Sequence, residues 1–398
     1  MTQSTGPLTG TLVVDCTRML PGAVLARNLI DLGARLIKVE DPHGGDPMRH
    51  TPPLVGGVGV GFCVYYRGAE SLRLDLRTPE GLARLRRLLA RADVFLESFR
   101  PGTLRKWGLG LDELQREFPR LVSCSLPGYA DDDRRVAHDL NLTGLTGLLG
   151  QLPGSRLSYG GGEDIPRVLI ADVVTGLLAT SSVLAALLGR ASSGVGTRIQ
   201  QPLLSAPLPL LTWPWADRAA GGGGALETML SGQAACYRCY RCADGKLLSV
   251  GCLEPKFWVG FCQAIGKPEL GNLGHDLGER GRAAADAVAE LLATQPRSEW
   301  LALLADKDLP VAAVNDLDDA RNDSTLASSG LLERTPMPGG ARLSVPGPAL
   351  PSVGHTPERP APKLGEHDEA IARELEGIPS EASQREPAKV ASAPAETT

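Results

Sequence analysis

The sequence predicts an α/β protein with a parallel sheet, and three observations lead to that class. Strand-like and helix-like runs alternate along the first half of the chain. Thr11 to Glu40 reads strand, helix, strand, which is the pattern of two parallel strands joined by a right-handed crossover. The chain has 398 residues, of which 42% are hydrophobic and 22% are charged. This composition is typical of a soluble globular protein with two or three domains and a large core.

Each element of the first half has a local signal. Leu12, Val13 and Val14 form an apolar strand core, and Pro21 and Gly33 stand where the first helix should begin and end. Thr78 to Gly81 has the residues of a helix N-cap. No G-x-G-x-x-G follows the first strand, so an NAD-binding domain is not predicted. The predicted strands are Thr11 to Asp15, Arg35 to Glu40, Leu72 to Leu76, Asp93 to Glu97 and Leu121 to Leu126, and the predicted helices are Leu20 to Leu32, Leu82 to Ala92 and Val173 to Gly189.

A change of character after residue 225 predicts a second domain. We expect a large α/β domain over 1–225, a smaller α+β domain over 226–325 and a return to the large domain over 326–378. Residues 379–398 are mostly Ala, Glu, Pro, Ser and Thr and predict a disordered tail. The elements predicted in the smaller domain are the strands Lys246 to Cys252 and Val311 to Val314 and the helices Pro255 to Ile265, Arg282 to Ala293 and Trp300 to Lys307.

Charge and hydropathy exclude several functional classes. The net charge is −5 and the 41 basic residues are dispersed, which argues against a nucleic-acid partner. Met1 to Gly10 has neither the basic nor the apolar region of a secretory signal. Val168 to Gly189 is apolar enough to suggest a membrane span, but it carries Asp172 and several hydroxyl residues. We interpret it as a buried helix and expect no membrane contact.

Cys236, Cys239 and Cys242 have the spacing C-x2-C-x2-C, which raises the hypothesis of a metal site. The alternative is free thiols. If the segment is a strand, Cys239 and Cys242 lie on opposite faces, and the sequence has no nearby His as a fourth ligand. We therefore predict free thiols in a reducing compartment, which indicates the cytoplasm, with no metal and no cofactor.

The candidate chemistry lies between Val136 and Gly176. Asp172 precedes the long apolar run, at a helix start whose unpaired N–H groups and dipole favour an ionised carboxylate. His138, 34 residues upstream, can bring an imidazole to the same cleft. These residues suit a general base or a nucleophile. A plain helix cap and a buried histidine would give the same spacing, so that interpretation stays open.

The chain resembles the family III CoA-transferase superfamily, of the CaiB/BaiF type, from Gly10 to about Ile378. Its motifs stand in the family's order, and together they are specific. They are Asp31-Leu32-Gly33-Ala34, Ile37-Lys38-Val39-Glu40, Gly44-Gly45-Asp46-Pro47, Leu74-Asp75-Leu76, Thr78-Pro79-Glu80-Gly81, Phe99-Arg100-Pro101-Gly102, Asp172, Tyr240 to Gly245, Arg359-Pro360-Ala361-Pro362 and Leu364-Gly365-Glu366-His367. The resemblance implies a large Rossmann-like CoA-binding domain with an inserted smaller α+β domain.

The resemblance also implies two possible reactions. In the transferases, the aspartate that matches Asp172 attacks an acyl-CoA and passes CoA to a second acid. In the α-methylacyl-CoA racemases, it exchanges protons together with the histidine of an A/G-H-D motif, matched here by Ala137-His138-Asp139, and Asp139 is counted among the expected catalytic residues. A glutamate of a G-x-x-E-P motif, matched by Glu254, pairs with that histidine. Because all three groups are present and a transferase needs only the carboxylate, we predict the racemase.

For CoA binding, the resemblance points to Lys38 and Arg100, with Arg67 and Arg73 close by in the sequence. Basic side chains on loops after strands suit a ligand with phosphates, although solvated surface charges would look the same. CoA would be part of the substrate. Relatives are interlocked homodimers, so Glu254 is expected to reach His138 across the subunit boundary.

Three departures from the family pattern keep a further alternative open. Ala69-Glu70 stands where relatives have a basic residue, Asp131 to Asp133 is acidic, and Leu142 replaces an aromatic residue. These changes affect the expected phosphate contacts and acyl pocket. They are compatible with a non-catalytic protein that binds acyl-CoA.

Overall fold

The computed structural model describes residues 6–130, 135–152, 165–222, 224 and 228–377. The expected acidic loop at Asp131 to Asp133 and the predicted tail at 379–398 lie outside the described residues. The chain divides into two compact units. The larger unit comprises Met1–Leu149, Pro166–Pro207 and Leu331–Thr398, and the smaller unit comprises Gly150–Ile165 and Leu208–Gly330. The sequence analysis placed the smaller domain at 226–325, whereas the main segment of the smaller unit is Leu208–Gly330.

The strands are β1 Leu12–Cys16, β2 Arg35–Glu40, β3 Leu54–Val55, β4 Val58–Gly59, β5 Glu70–Arg73, β6 Val94–Glu97, β7 Val122–Ser125, β8 Arg198–Gln200, β9 Tyr237–Arg241, β10 Leu247–Gly251, β11 Val311–Val314, β12 Leu332–Pro336 and β13 Arg342–Pro346. The α-helices are α1 Met19–Asp31, α2 Val60–Tyr65, α3 Pro79–Leu89, α4 Thr103–Lys106, α5 Leu111–Glu117, α6 Asp139–Leu145, α7 Ile170–Ser193, α8 Thr212–Ala219, α9 Pro255–Ala264, α10 Glu279–Leu292, α11 Arg297–Leu304, α12 Leu317–Arg321, α13 Ser324–Ser328 and α14 Asp368–Leu375.

The larger unit contains a six-stranded parallel sheet in the order β5-β2-β1-β6-β7-β8. The prediction of an α/β protein with a parallel sheet is confirmed. The order reverses between β1 and β6, because the chain first adds strands on one side of β1 and then on the other. In sheets of this kind, ligands bind beyond the carboxyl ends of the strands at such a switch point.

Local signals explain most elements of the larger unit. Thr78 caps α3 as predicted, since its hydroxyl accepts a hydrogen bond from the N–H of Gly81 at 3.1 Å. The predicted strand at Leu72 to Leu76 is β5, which starts two residues earlier and ends three residues earlier. The short strand β8 was not predicted at all. It has three residues and follows no apolar pattern, so only its pairing with β7 reveals it.

Helix α7 extends beyond the predicted range at both ends. It is terminated by Gly194, whose φ of 74° is favourable only for glycine. It is long and apolar enough to cross a membrane by length and composition alone. One side packs in the core with α1 through Ala179 and Val183. The opposite side leaves Leu177 and Leu188 exposed, so the helix is buried on one side only.

The smaller unit contains an antiparallel sheet in the order β11-β10-β9. Tyr240 and Leu248 on one face of this sheet share a core with the aromatic residues of α9, Trp258 and Phe261, and with α10 and α11. Strand β9 leaves Cys239 exposed on the other face, while Cys236 and Cys242 are buried. All eight cysteines are free thiols. Among the described residues, no group of His, Cys, Asp and Glu could hold a metal ion.

Candidate active site

His138 and Asp139 stand at the start of α6. His138 is the exposed N-cap residue, with an extended backbone, and its N–H donates to Oδ1 of Asn141 at 3.2 Å. Asp139 is the first helical residue and is buried, being 8% exposed. The side chain of His138 therefore faces solvent, and the carboxylate of Asp139 faces the protein interior.

Asp172 stands in the first turn of α7, as predicted. Its backbone N–H donates to Oδ1 of Asp139 at 3.1 Å, so the carboxylate at the start of α6 satisfies one unpaired donor at the start of α7. A small apolar cluster of Tyr129, Leu142 and Ala171 packs beside these residues. The structure thus brings the starts of the two helices together.

The pKa of Asp172 differs in direction from the effect expected of a helix start. The pKa is raised to about 6, mainly by burial and then by the negative charge of Asp139, while His138 lowers it. These two contributions outweigh the helix dipole. A carboxyl with this pKa is mostly ionised at neutral pH but gains a proton readily, which suits a group that alternates between base and acid.

Glu254 is the exposed N-cap residue of α9 in the smaller unit, and Pro255 is the first residue of that helix. Gly251, at the end of β10, opens the G-x-x-E-P motif. It lines a cavity of about 580 Å³ together with Tyr237, Cys239 and Ser249. His138, Asp139 and Asp172 belong to the larger unit.

Lys38 lies in β2 and is 1% exposed. Its ammonium donates to Oδ2 of Asp15 at 3.2 Å and to the hydroxyl of Tyr66 at 2.9 Å. It also donates to the carbonyl of Thr17 and lies 3.2 Å from Oδ2 of Asp46. The expected phosphate contact is therefore not retained for Lys38, because a side chain buried among four partners has no surface for a ligand.

Arg67 requires the same correction. It is 0% exposed, and its Nη2 donates to Oδ1 of Asp31 at 2.6 Å and to the hydroxyl of Thr356. This arginine joins α1 to the segment that follows the smaller unit. Arg73 is exposed at the end of β5 and pairs with Asp368 at 2.7 Å. Of these two residues, only Arg73 has surface that a phosphate could reach.

Arg100 is exposed and lies just after β6, on the wall of a cavity of about 410 Å³. The carboxyl ends of β6, β7 and β8 contribute Glu97, Ser125 and Gln200 to the same cavity. Burial raises the pKa of Glu97, whose Oε2 accepts a hydrogen bond from the N–H of Phe99 at 2.7 Å. The cavity therefore lies beyond the carboxyl ends of three parallel strands, one of which, β6, borders the switch point.

Two further arginines on this cavity, Arg105 and Arg198, were missed by the sequence analysis. Arg198 begins β8 and pairs with Asp112, also on the cavity wall. Recognition of β8 as a sixth strand would have pointed to this residue. Arg105 lies in α4, directly after the Phe99-Arg100-Pro101-Gly102 motif. Its place next to this motif could have indicated that it lies on the cavity wall.

The conserved pattern of CoA-transferase family III matches residues 8–368. The chain belongs to CoA-transferase family III. The resemblance stated from the motifs is thereby confirmed, and the protein belongs to an enzyme family that acts on acyl-CoA thioesters.

Similar members of CoA-transferase family III carry both kinds of activity in their names. Succinyl-CoA:glutarate CoA-transferase of Mus musculus is 29% identical over 93% of this chain and 86% of its own. Alpha-methylacyl-CoA racemase of Homo sapiens is 31% identical over 92% of this chain and 93% of its own. The crystal structure of a CAIB/BAIF family protein from Brucella suis has a TM-score of 0.76 at 29% identity and covers 93% of this chain and 99% of that one.

Proposed function

We propose that the protein is a racemase that inverts the α-carbon of 2-methyl-branched or 2-aryl acyl-CoA thioesters. The observation that carries the proposal is the joined start of α6 and α7, where His138 lowers the pKa of Asp172 and Asp139 accepts a hydrogen bond from the backbone N–H of Asp172. Inversion needs two groups that exchange the roles of base and acid, and this unit supplies such a pair.

In the proposed reaction, the carboxylate of Asp172 takes the α-proton from one face of the substrate. The electrons of the broken C–H bond move to the thioester carbonyl and form an enolate. The imidazolium of His138 then returns a proton to the opposite face, and the roles are reversed for the other enantiomer. Backbone N–H groups beside Asp139 are the proposed donors to the enolate oxygen.

CoA is proposed to bind at the cavity beside β6, β7 and β8. Arg100, Arg105 and Arg198 supply positive charge on its wall, and the cavity lies at the carboxyl ends of parallel strands. Arg73 is a further candidate for a phosphate. No cofactor besides the CoA of the substrate is required, and we propose a cytoplasmic site of action.

The smaller unit is proposed to be an inserted domain of an interlocked homodimer. In that assembly, the partner's Glu254 pairs with His138 and favours its protonated form. The proposal rests on the match of Gly251 to Pro255 with the G-x-x-E-P motif and on the exposed N-cap position of Glu254.

Proton exchange at the α-carbon tests the racemase directly. The protein is incubated with (R)- or (S)-2-methylacyl-CoA in D2O without an acceptor acid and followed by NMR and chiral analysis. We expect deuterium uptake with loss of stereochemical purity. Exchange should be abolished in Asp172→Ala and reduced about 100-fold or more in His138→Ala, as for removal of a general acid or base.

A CoA transferase is the second candidate, and the names of several relatives favour it. Asp172 would then attack the acyl-CoA and form a covalent intermediate. CoA transfer after addition of a carboxylic acid, with activity that survives His138→Ala and is lost in Asp172→Ala, would replace the racemase proposal. CoA binding without either reaction would indicate a non-catalytic acyl-CoA-binding protein.

A further inference from the structure

We infer that Asp139 is a positioning residue, whose carboxylate holds the start of α7 against the start of α6 and sets the electrostatic surroundings of Asp172. The inference rests on the proposed function, because it assumes that His138 and Asp172 act as a pair. Asp139 itself is not expected to touch the substrate. It acts through Asp172, whose backbone N–H donates to the Asp139 carboxylate.

The geometry places Asp139 between the two bases. It follows His138 directly in the sequence, and its Oδ1 accepts the backbone N–H of Asp172 at 3.1 Å. Since the side chain is 8% exposed, water has little access to compete for this bond. The side chain of Asp139 therefore links the backbone at the start of α6, next to His138, to the backbone of Asp172 at the start of α7.

Asp139 is also a source of negative charge beside Asp172. Within the part of the chain that the structure describes, two charged side chains act on Asp172: Asp139 raises its pKa and His138 lowers it. Burial is the larger contribution, and the charge of Asp139 adds to it. The carboxylate that fixes Asp172 in place therefore also favours its protonated form.

Among the described residues, no charged side chain besides Asp139 and His138 shifts the pKa of Asp172, and this includes the exposed Arg18 that precedes α1. Helix α1 approaches Gly176 with Pro21 and Val24. The charged residues within α1 lie further along the helix, near Asn28, which donates a hydrogen bond to the hydroxyl of Thr180. The segment Leu203–Ser205 has no ionisable side chain. Strand β7 has one ionisable group, the thiol of Cys124, and burial raises its pKa to about 12, so it is neutral at physiological pH.

Two substitutions separate the hydrogen bond from the charge. Asp139→Asn keeps an oxygen that can accept the N–H of Asp172 but removes the negative charge. Asp139→Ala removes both. We expect Asp139→Asn to keep kcat within about tenfold of the wild type and to move the acidic limb of the kcat/KM profile to lower pH. Asp139→Ala should lower kcat by about 100-fold, because a displaced base reacts poorly.

A titration that does not depend on turnover completes the test. With 13C-carboxyl-labelled aspartate, the Asp172 signal is assigned by its loss in Asp172→Asn, and its pKa is followed in wild type, Asp139→Asn and a control, Asp306→Asn. Asp306 is an exposed carboxylate in the smaller unit. We expect the pKa of Asp172 to fall in Asp139→Asn and to stay unchanged in the control.

The outcomes distinguish this inference from the proposed function. If the wild type exchanges the α-proton but Asp139→Asn leaves both the acidic limb and the Asp172 titration unchanged, the inference is wrong and the racemase stands. Equal losses of kcat in the Asn and Ala variants would also overturn it. If the wild type exchanges no proton, the racemase proposal fails, and the titration still decides whether Asp139 sets the charge state of Asp172.

Discussion

Asp172 shows how opposing effects decide the state of one residue. A position in the first turn of a 24-residue helix favours the carboxylate through the helix dipole. Half-burial and the neighbouring charge of Asp139 favour the neutral form, and they prevail, because the pKa is raised to about 6. The residue therefore keeps a reactive carboxylate at neutral pH at a cost to the stability of the fold.

Asp172→Asn should raise the stability of the folded protein by an amount that depends on pH. The pKa of an aspartate in an unfolded chain is about 3.9, whereas that of Asp172 in the folded protein is about 6. Because the folded pKa is the higher one, the stabilising contribution of protonated Asp172 is complete below the unfolded value. It is lost as pH rises through the folded value. Asparagine imitates the neutral form at every pH.

The measurement is Tm for both proteins in half-unit steps from about pH 4 to about pH 8. The gain in Tm should widen up to the folded pKa and remain constant above it. A gain of the same size at every pH would show that the carboxyl is not perturbed in the folded state. Other groups titrate in this range, and those that do not interact with Asp172 contribute equally in the two proteins and cancel in the difference.

For single residues, the sequence predicts the place in a helix or strand better than it predicts the burial and contacts of the side chain. Asp172 was placed at a helix start because the apolar run after it has helical length, and that was sufficient. Lys38 was assigned to a phosphate contact by the family resemblance, and Arg67 was added because it lies close by in the sequence. Their burial depends on carboxylates supplied by Asp46 and Asp31, and pairing at such distances along the chain leaves no local pattern.

Among the elements, the contact between α1 and α7 determines where Asp172 lies. Gly176 is one turn after Asp172 and faces α1 directly. A Cβ added to Gly176 would lie 2.5 Å from Cβ of Val24 and 2.8 Å from the carbonyl oxygen of Pro21. The absence of a side chain therefore lets the two helices approach closely, and α1 in turn follows the end of β1.

Gly176→Ala should destabilise the protein by about 1–3 kcal/mol, because the added methyl group has no space and the helices must move apart. Gly189→Ala is the matched control on the same helix, since its added Cβ would meet nothing within 4 Å. There, the better helix propensity of alanine should stabilise by about 0.5–1 kcal/mol. Denaturant unfolding measures both, and equal effects at the two sites would contradict the close contact.

Helices and strands were predicted where their signals are local in the sequence. Helices with caps and long apolar stripes, such as α3 and α7, were predicted because their signals are local. Strand β8 has three residues and is defined by its partner β7, so the sequence alone did not indicate it. The cavity with Arg198 was missed for that reason.

Several large apolar side chains of the chain are exposed to solvent. Trp213 and Trp215 on α8 are 67% and 61% exposed, and Leu188 on α7 is 77% exposed. Burial of such side chains between two copies of the chain would remove apolar surface from water. We therefore expect light scattering to give twice the chain mass of 41.9 kDa, in agreement with the proposed homodimer.

Co-expression of two inactive variants tests whether the site is shared between subunits. His138→Ala removes the histidine of one chain and Glu254→Gln removes the glutamate of the other. If the partner's Glu254 completes the site that holds His138, a mixed dimer has one site with both substitutions and one site with neither. With equal expression, half of the dimers are mixed, so proton exchange should recover to about one quarter of the wild-type rate.

If Glu254 instead serves His138 of its own chain, every site in the mixed dimer carries one substitution and no activity returns. Chains with different affinity tags allow the mixed dimer to be purified, and its rate per dimer should then be about half that of the wild type. The two variants expressed separately and mixed after purification provide the control, because interlocked chains cannot exchange. Recovery after simple mixing would therefore contradict the interlocked assembly while leaving the shared site intact.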